Sequence, residues 1–284
     1  MGFDLTRLDP VGVEIHGLQL GADLDAARLA ALRSLVLEEG FVLARGQRLS
    51  EPEQVALGRR FGALESLMPI APGEERAAAI ANVDSRGELM PDTHPAMVSL
   101  KVNERWHTDS SFREVPASFS IFRAVEVPAE GGDTFYASLR RAWDELDAGL
   151  REQALGRSAI HDYHETLRRI GSGIPHWAKD AGDPITHPMV RKHPETGATG
   201  LYVSEHAFRV EGLEAEAGLT LLEQLVAHTT APERVYRHHW REGDLALWDN
   251  RSMLHRAQGF DRRYRRVMHH VRVAGTEAVI AASA

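Results

Sequence analysis

Trp106-His107-Thr108-Asp109 sets an imidazole and a carboxylate two residues apart. A second imidazole, His255, follows within Trp248-Asp249-Asn250-Arg251-Ser252-Met253-Leu254-His255-Arg256. An H-x-D pair joined by one distant histidine is the ligand pattern of a non-haem Fe(II) facial triad, which leaves three positions open for a co-substrate and O2. If His107 and Asp109 lie on an extended segment, the two-residue period turns both side chains to one face, and His255 must arrive from elsewhere in the fold. Taken alone, the tripeptide is more often a hydrogen-bonded His–Asp pair. The chain has no cysteine, so thiolate and Fe–S chemistry are excluded and a metal must rest on nitrogen and oxygen ligands.

Eleven residues after His255 begins Arg266-Val267-Met268-His269-His270-Val271-Arg272. On a strand, Arg266, Met268, His270 and Arg272 point one way and Val267, His269 and Val271 the other. The polar set could be a solvated face or the lining of an internal cavity, and the pattern alone does not choose. A guanidinium such as Arg266 suits an organic-acid co-substrate, because it binds a carboxylate through two parallel hydrogen bonds.

The elements that must position these groups read as short strands with a few helices. Val11 to Leu20, Phe41 to Ala44, Phe119 to Ala124, Thr134 to Ala137, Val235 to Trp240, Asp244 to Trp248 and Arg266 to Val273 have strand patterns, and His187 to Val203 reads as a hairpin around Pro194-Glu195-Thr196-Gly197. Leu24 to Glu39, Ser138 to Leu150 and Glu214 to His228 have helical spacing, and Ser50 with Glu53 makes a capping box for a helix to about Phe61. Two long stretches, Gly62 to Asn103 and Glu165 to Pro184, are broken by Gly and Pro and read as irregular segments shaping a pocket or lid. Strands and helices do not alternate, which favours a mainly β jelly roll over a parallel α/β sheet. No repeat or linker divides residues 1–284, so a single domain is expected.

The balance of 33 basic against 41 acidic residues gives no reason to expect nucleic acid or a membrane as partner. Asp4, Arg7 and Asp9 interrupt the first residues, and no run of 18 apolar residues occurs, so a soluble, cytoplasmic protein is expected. A homo-oligomer is left open. Of the fifteen histidines, His161, His164, His176, His228, His238 and His239 read as surface or hydrogen-bonded residues.

Taken together, Trp106-His107-Thr108-Asp109-Ser110-Ser111-Phe112, Gly131-Gly132-Asp133-Thr134, Trp248-Asp249-Asn250-Arg251…His255-Arg256 and Arg266 resemble the taurine/2,4-dichlorophenoxyacetate dioxygenase family. Val235-Tyr236-Arg237-His238-His239-Trp240 and His187-Pro188…His193-Pro194-Glu195-Thr196-Gly197 extend the resemblance over nearly the whole chain, closer to the aryloxyalkanoate branch than to the taurine branch. The resemblance implies a double-stranded β-helix with flanking helices, a bound Fe(II), and 2-oxoglutarate and O2 as co-substrates. It also implies that His107, Asp109 and His255 ligate iron, and that Thr134 and Arg266 hold the distal carboxylate of 2-oxoglutarate. Succinate and CO2 would be released, and the retained Asp109 favours hydroxylation over halogenation.

Family members acting on taurine, and some acting on phenoxyacetate, carry a second arginine four residues after the first to neutralise the substrate's acid group. Here that position is His270, a weaker and pH-dependent anion partner. Taurine is therefore disfavoured, and Lys101, Asn103, Ser110 and His206 are further candidates for substrate contact. The expected substrate is a small organic acid of the aryloxyalkanoate kind. The alternatives are the same chemistry on an alkyl sulfate, sulfonate or amino-acid derivative, and, from another class, a non-catalytic metal-binding jelly-roll ligand sensor.

Overall fold

The computed structural model describes residues 3–21, 24–65, 75–179 and 181–283. Its framework follows from runs of apolar residues too short for helices and buried on both faces. Phe41–Ala44 is buried at all four positions, and so is Leu245–Asp249 at all five. These strands pair antiparallel at the centre of a seven-stranded sheet, Trp248 opposite Phe41. Beyond Phe41–Ala44 lie Val13–His16, in parallel, and then Asp4–Arg7. Beyond Leu245–Asp249 lie Phe119–Glu126, Val267–Val273 and, at the far edge, Ala78–Ala81.

Alternation divides this sheet into two faces. Val42, Ala44, Ile121, Leu245, Leu247, Val271 and Val273 pack with Leu32, Leu35 and Val36 of helix Ala26–Glu39, and with Val55, Leu57 and Phe61 of helix Glu51–Phe61. Phe41, Leu43, Phe122, Ala246, Trp248 and Met268 face inward, toward Tyr136, Trp240 and Met253. Tyr136 and Met253 belong to a second sheet, in which Thr134–Ser138 lies between Val235–His238 and Met253–Ala257. An outer cluster joins its outer face to Leu221, Leu222 and Leu225 of helix Ala215–Thr229. Two facing, mainly antiparallel sheets make the jelly roll anticipated above. None of the described helices is long and apolar enough to cross a membrane.

Several boundaries differ from the sequence reading for identifiable reasons. The strand expected over Val11 to Leu20 shortens to Val13–His16, flanked by the positive-φ glycines Gly12 and Gly17. The helix expected over Ser138 to Leu150 is two, Leu139–Asp144 and Ala148–Ala154, because the Asp147 side chain accepts from Leu150 N–H and caps a new start. The stretch Gly62 to Asn103 contains the edge strand Ala78–Ala81 and helix Met97–Asn103, while residues 66–74 of it lie outside the described residues. Helix Tyr163–Arg169 and a 3-10 turn at His176–Ala178 likewise occupy part of Glu165 to Pro184.

At the end of the central strand the Asp249 carboxylate is fully buried. It accepts from Arg251 Nε (2.8 Å) and Nη2 (2.8 Å), from Arg251 N–H (2.9 Å) and from His193 Nε2 (2.9 Å), tying the 193–198 turn to the sheet. Burial alone would raise this carboxyl, but the Arg251 guanidinium overrides it and holds the group below the ordinary carboxylate range. Asp249→Ala leaves the buried Arg251 guanidinium with Glu195 alone (2.7 Å) and His193 Nε2 without its acceptor, and is expected to cost about 1–3 kcal/mol, read from urea unfolding curves.

Of the histidines read as ordinary, His176 is exposed and the others have protein partners. His164 Nε2 donates to Ala178 O (2.8 Å), His228 Nε2 to Ala142 O (2.9 Å), and His239 Nδ1 lies 2.9 Å from Asp133 Oδ1. His161 is fully buried, 3.2 Å from Ser111 Oγ and edge-on to His187. Burial, helped by His187, pushes its imidazole from 6.5 down to about 3. Between those values the unfolded chain binds a proton that the folded chain does not, so stability falls on acidification through that window. The slope from this one group reaches about 1.4 kcal/mol per pH unit. Metal-free protein titrated with urea at pH 7, 6 and 5 is expected to lose stability more steeply than His161→Gln; equal slopes would show that the imidazole is not the source.

Candidate active site

His107 and His255 meet through their backbones. His107 N–H donates to His255 O (2.9 Å) and His255 N–H to His107 O (2.8 Å), which extends the second sheet by one bridge and sets the two rings 4.2 Å apart. Asp109 is placed differently from the sequence expectation. The extended segment ends at His107, and the chain turns at Asp109-Ser110, where Ser110 has a left-handed φ of 60°. The turn nonetheless brings one ligand atom from each of His107, Asp109 and His255 within 4.8 Å of the others, all three residues buried.

The protonation pattern fits metal binding. His107 Nδ1 must donate to Arg105 O (2.7 Å), which leaves Nε2 with a free lone pair. Burial lowers both His107 and His255 from their ordinary values, so both imidazoles are neutral. Burial opposes ionisation of Asp109, but its polar surroundings, the Arg272 guanidinium among them, outweigh it and hold the carboxyl well below its usual range. Neutral nitrogens around a carboxylate are the states a divalent cation requires.

A hydrogen-bond relay fixes Asp109. Trp248 Nε1 donates to Asn250 Oδ1 (2.8 Å), so Asn250 Nδ2 points at Ser120 Oγ (2.9 Å). Ser120 in turn donates to Asp109 Oδ2 (2.6 Å). Asp109 N–H and Thr108 Oγ1 also donate to Asn250. Neither Asn250 nor Ser120 was singled out from sequence. Asn250 lay in view as a turn residue after Trp248, and Ser120 gave a signal only as the lone hydroxyl in an apolar strand.

Beside the triad, Arg266 is buried, and among the described residues no carboxylate lies within ion-pair distance of it. Its Nε (3.2 Å) and Nη2 (3.0 Å) both donate to Gly132 O. Burial lowers the guanidinium to about 10, which leaves it charged at neutral pH. Gly131 and Gly132 have φ of 74° and 70°, and a Cβ on Gly132 would stand 2.9 Å from Arg266 Nε. Glycine is needed there for both reasons. Thr134 Oγ1 accepts from Trp240 Nε1 (2.9 Å), which leaves the hydroxyl proton available to a ligand. A cation and a hydroxyl without an anion between them suit a carboxylate.

Both groups line one cavity of about 150 Å³ that also includes the triad. The inward polar set Arg266, His270 and Arg272 is thus a cavity lining, which settles the choice the strand pattern left open. Asn103, Ser110, His206 and His270 also line it; Lys101 is exposed and does not. His270 turns its Nε2 to 3.5 Å from Asp109 Oδ2, short of hydrogen-bond geometry, with Phe122 edge-on at 5.2 Å. Thr166 Oγ1 donates to Asp162 O (3.1 Å), so it accepts from His206 Nδ1 (2.9 Å) and leaves His206 Nε2 without a proton. Ser110 Oγ donates to Glu65 Oε2 (2.7 Å). The irregular stretches supply other wall residues, among them Ile80, Leu100 and Val102 from one and Ala178 and Ala181 from the other.

Residues 4–273 match the model of the family described as "Taurine catabolism dioxygenase TauD, TfdA family". The chain is 37% identical over 290 residues to the (S)-phenoxypropionate/alpha-ketoglutarate-dioxygenase of Sphingobium herbicidovorans, with 97% of this chain and 96% of the relative covered. It is 34% identical over 254 residues to the alpha-ketoglutarate-dependent 2,4-dichlorophenoxyacetate dioxygenase of Cupriavidus pinatubonensis, covering 87% and 88%. Among solved structures, AAD-2 in complex with Mn(II) and N-oxalylglycine superposes with a TM-score of 0.91 at 27% identity, covering 99% of this chain and 100% of that one. Fe(II), 2-oxoglutarate and O2 are accordingly the cofactor and co-substrates of this enzyme. The chain belongs to the TauD/TfdA family of 2-oxoglutarate-dependent non-haem iron dioxygenases.

Proposed function

We propose that residues 1–284 form one catalytic domain that hydroxylates a small organic acid of the aryloxyalkanoate kind. His107, Asp109 and His255 are the iron ligands, and Thr134 and Arg266 hold the distal carboxylate of 2-oxoglutarate. The observation that carries this reading is a buried guanidinium without a carboxylate partner, in the same cavity as three neutralised or ionised ligands ready for a divalent cation. Iron bound there supplies, with O2 and 2-oxoglutarate, the oxidising power that hydroxylates a C–H bond and yields succinate and CO2.

The protein's own contribution is placement. The Trp248–Asn250–Ser120 relay keeps the Asp109 carboxylate turned toward the histidines. The Gly132 carbonyl fixes Arg266, whose remaining N–H groups and the Thr134 hydroxyl converge as donors for a carboxylate. Leu100, Val102, Phe112, Phe122 and Tyr163 give the rest of the cavity walls suited to an aromatic body and exclude water from the reacting groups. The aryloxyalkanoate relatives support this substrate class, and their enzymatic activity leaves the ligand-sensor reading without support.

Protein reconstituted anaerobically with Fe(II) is expected to convert 2-oxoglutarate to succinate once oxygen is admitted, with (S)-phenoxypropionate accelerating the reaction. His255→Ala and Asp109→Ala should lower that rate at least 100-fold, and succinate formation unchanged in both would remove the iron assignment. Thr134→Val and Gly132→Ala are each expected to raise the KM for 2-oxoglutarate about tenfold or more, since a hydrogen bond to a charged group contributes about 1.5–3 kcal/mol. An unchanged KM in both would overturn the co-substrate assignment.

A further inference from the structure

His270 occupies the position from which an acid group of the substrate would be expected to be held, yet its ring is turned to Asp109. The cavity offers two other cations. Arg113 and Arg272 both line it, and both reach the same carboxylate, Glu65: Arg113 Nη1 lies 3.3 Å from Oε1 and Arg272 Nε 3.4 Å from Oε2. Glu65 does not line the cavity. Its side chain is 6% exposed, its N–H donates to Arg272 O (2.9 Å), and it accepts from Ser110 Oγ, so it sits behind the two guanidiniums.

We infer that Arg113 and Arg272, braced by Glu65, form the subsite for the acid group of a monoanionic substrate. The inference rests on the catalytic reading above and deepens it. Both ion pairs are longer than a charge-assisted hydrogen bond of about 2.7–2.9 Å, and neither is bidentate. Among the described residues neither guanidinium has another acceptor partner, so most of its N–H groups remain for a ligand. Two cations share one anion, which leaves a single positive charge at a wall where Arg272 is 12% and Arg113 32% exposed, and a charge that is only partly hydrated there favours an anionic ligand.

The other charges of the cavity balance without the substrate. Arg262 pairs with Glu104 at 3.2 Å. A divalent cation with Asp109, and dianionic 2-oxoglutarate with Arg266, sum to zero. One charge remains, and it matches a carboxylate, a sulfonate or a monoalkyl sulfate, but not a phosphate monoester. The aromatic pair Phe112 and Tyr163, ring centroids 4.6 Å apart, supplies an apolar wall in the same cavity, so the favoured ligand is a carboxylate on an aromatic body.

Strand geometry gives the subsite its place. His270 and Arg272 share one face of the strand Val267–Val273, and Arg266 immediately precedes that strand; at about 3.3 Å per residue the two arginines stand roughly 20 Å apart along the backbone, with His270, beside Asp109, between them. Arg272 lies one pleat, about 7 Å, beyond His270, which suits an acid longer than taurine.

Calorimetric titration of the protein loaded with Mn(II) and N-oxalylglycine tests this without turnover. (S)-2-Phenoxypropionate is expected to bind, and Arg272→Met and Arg113→Met each to weaken it at least tenfold, with Arg272→Lys intermediate. The methyl ester should show no such dependence, and retained N-oxalylglycine binding checks that the variants fold. Variants that bind the acid as wild type does, or loss confined to His270→Ala, would overturn the subsite. If wild type binds octyl sulfate but not the phenoxy acid, the proposed substrate class fails, while the subsite stands or falls on whether Arg272→Met weakens the sulfate. No binding of any of these monoanions to wild type would overturn the subsite as well.

Discussion

Polar groups between two apolar sheets are tolerated only when something answers them, and the interior of this jelly roll is organised around that demand. On Val267–Val273 the valines at 271 and 273 enter the helix-covered core, which forces positions 268, 270 and 272 to the opposite side, where Arg266, just before the strand, joins them. Only Met268 of that set is apolar, and it packs with Phe122 and Trp248. A sheet lined by two arginines and a histidine could not close against a second sheet as a dry core. It closes instead around a cavity, and the groups that would be liabilities in a sandwich become binding sites. The position of the cavity is thus a consequence of alternation on one strand.

The second sheet answers the same constraint from the other side. Thr134 and His255 stand on neighbouring strands, with His255 paired to Tyr136 and Thr134 to Ala257, so the hydroxyl and the imidazole proposed to hold co-substrate and metal keep a fixed offset. The Gly131-Gly132 turn before Thr134 points a carbonyl at Arg266, which belongs to the first sheet. Trp240, on the segment after Val235–His238, occupies the Thr134 oxygen and so frees its proton. Each contact is local to one sheet or crosses between the two, and together they hold the cavity to one width without filling it.

How much of this was legible in the sequence depends on what each residue must do. His107, Asp109, His255, Thr134 and Arg266 could be singled out because metal ligation and carboxylate binding demand particular residue types in a fixed order, and the fold gathers all five at one cavity. The central strands of the main sheet were legible because burial on both faces leaves continuous apolar runs such as Phe41–Ala44, whereas the edge strands Asp4–Arg7 and Ala78–Ala81, mostly exposed, carry no such pattern and were not read. The face of Val267–Val273 was not, since an alternating polar set looks the same whether it meets solvent or a cavity. Glu65, Arg113 and Arg272 gave no signal as a group, because their association spans residues distant in sequence and depends on an isolated bridge between Leu64 and Val273. Helix Met97–Asn103 was hidden in a Pro-rich stretch. It lacks a side-chain cap, and Met97, Leu100 and Val102 are buried, so tertiary packing outweighs its missing capping.

His206 shows how far proton positions, and not only residue types, shape such a site. Its Nδ1 proton is committed to Thr166, whose own proton is committed to Asp162 O, so the ring presents a bare Nε2. His107 is held in the same tautomer by Arg105 O, and its ring centroid lies 5.5 Å from that of His206. The two imidazoles therefore present the same bare nitrogen, and what separates them is company: Asp109 and His255 stand beside His107, while Phe112 and Tyr163 stand beside His206. A cation is drawn to the first set, where a carboxylate supplies charge. The aromatic surroundings of the second leave His206 an acceptor within an apolar wall, suited to a donor or a C–H edge of the substrate and not to a second metal.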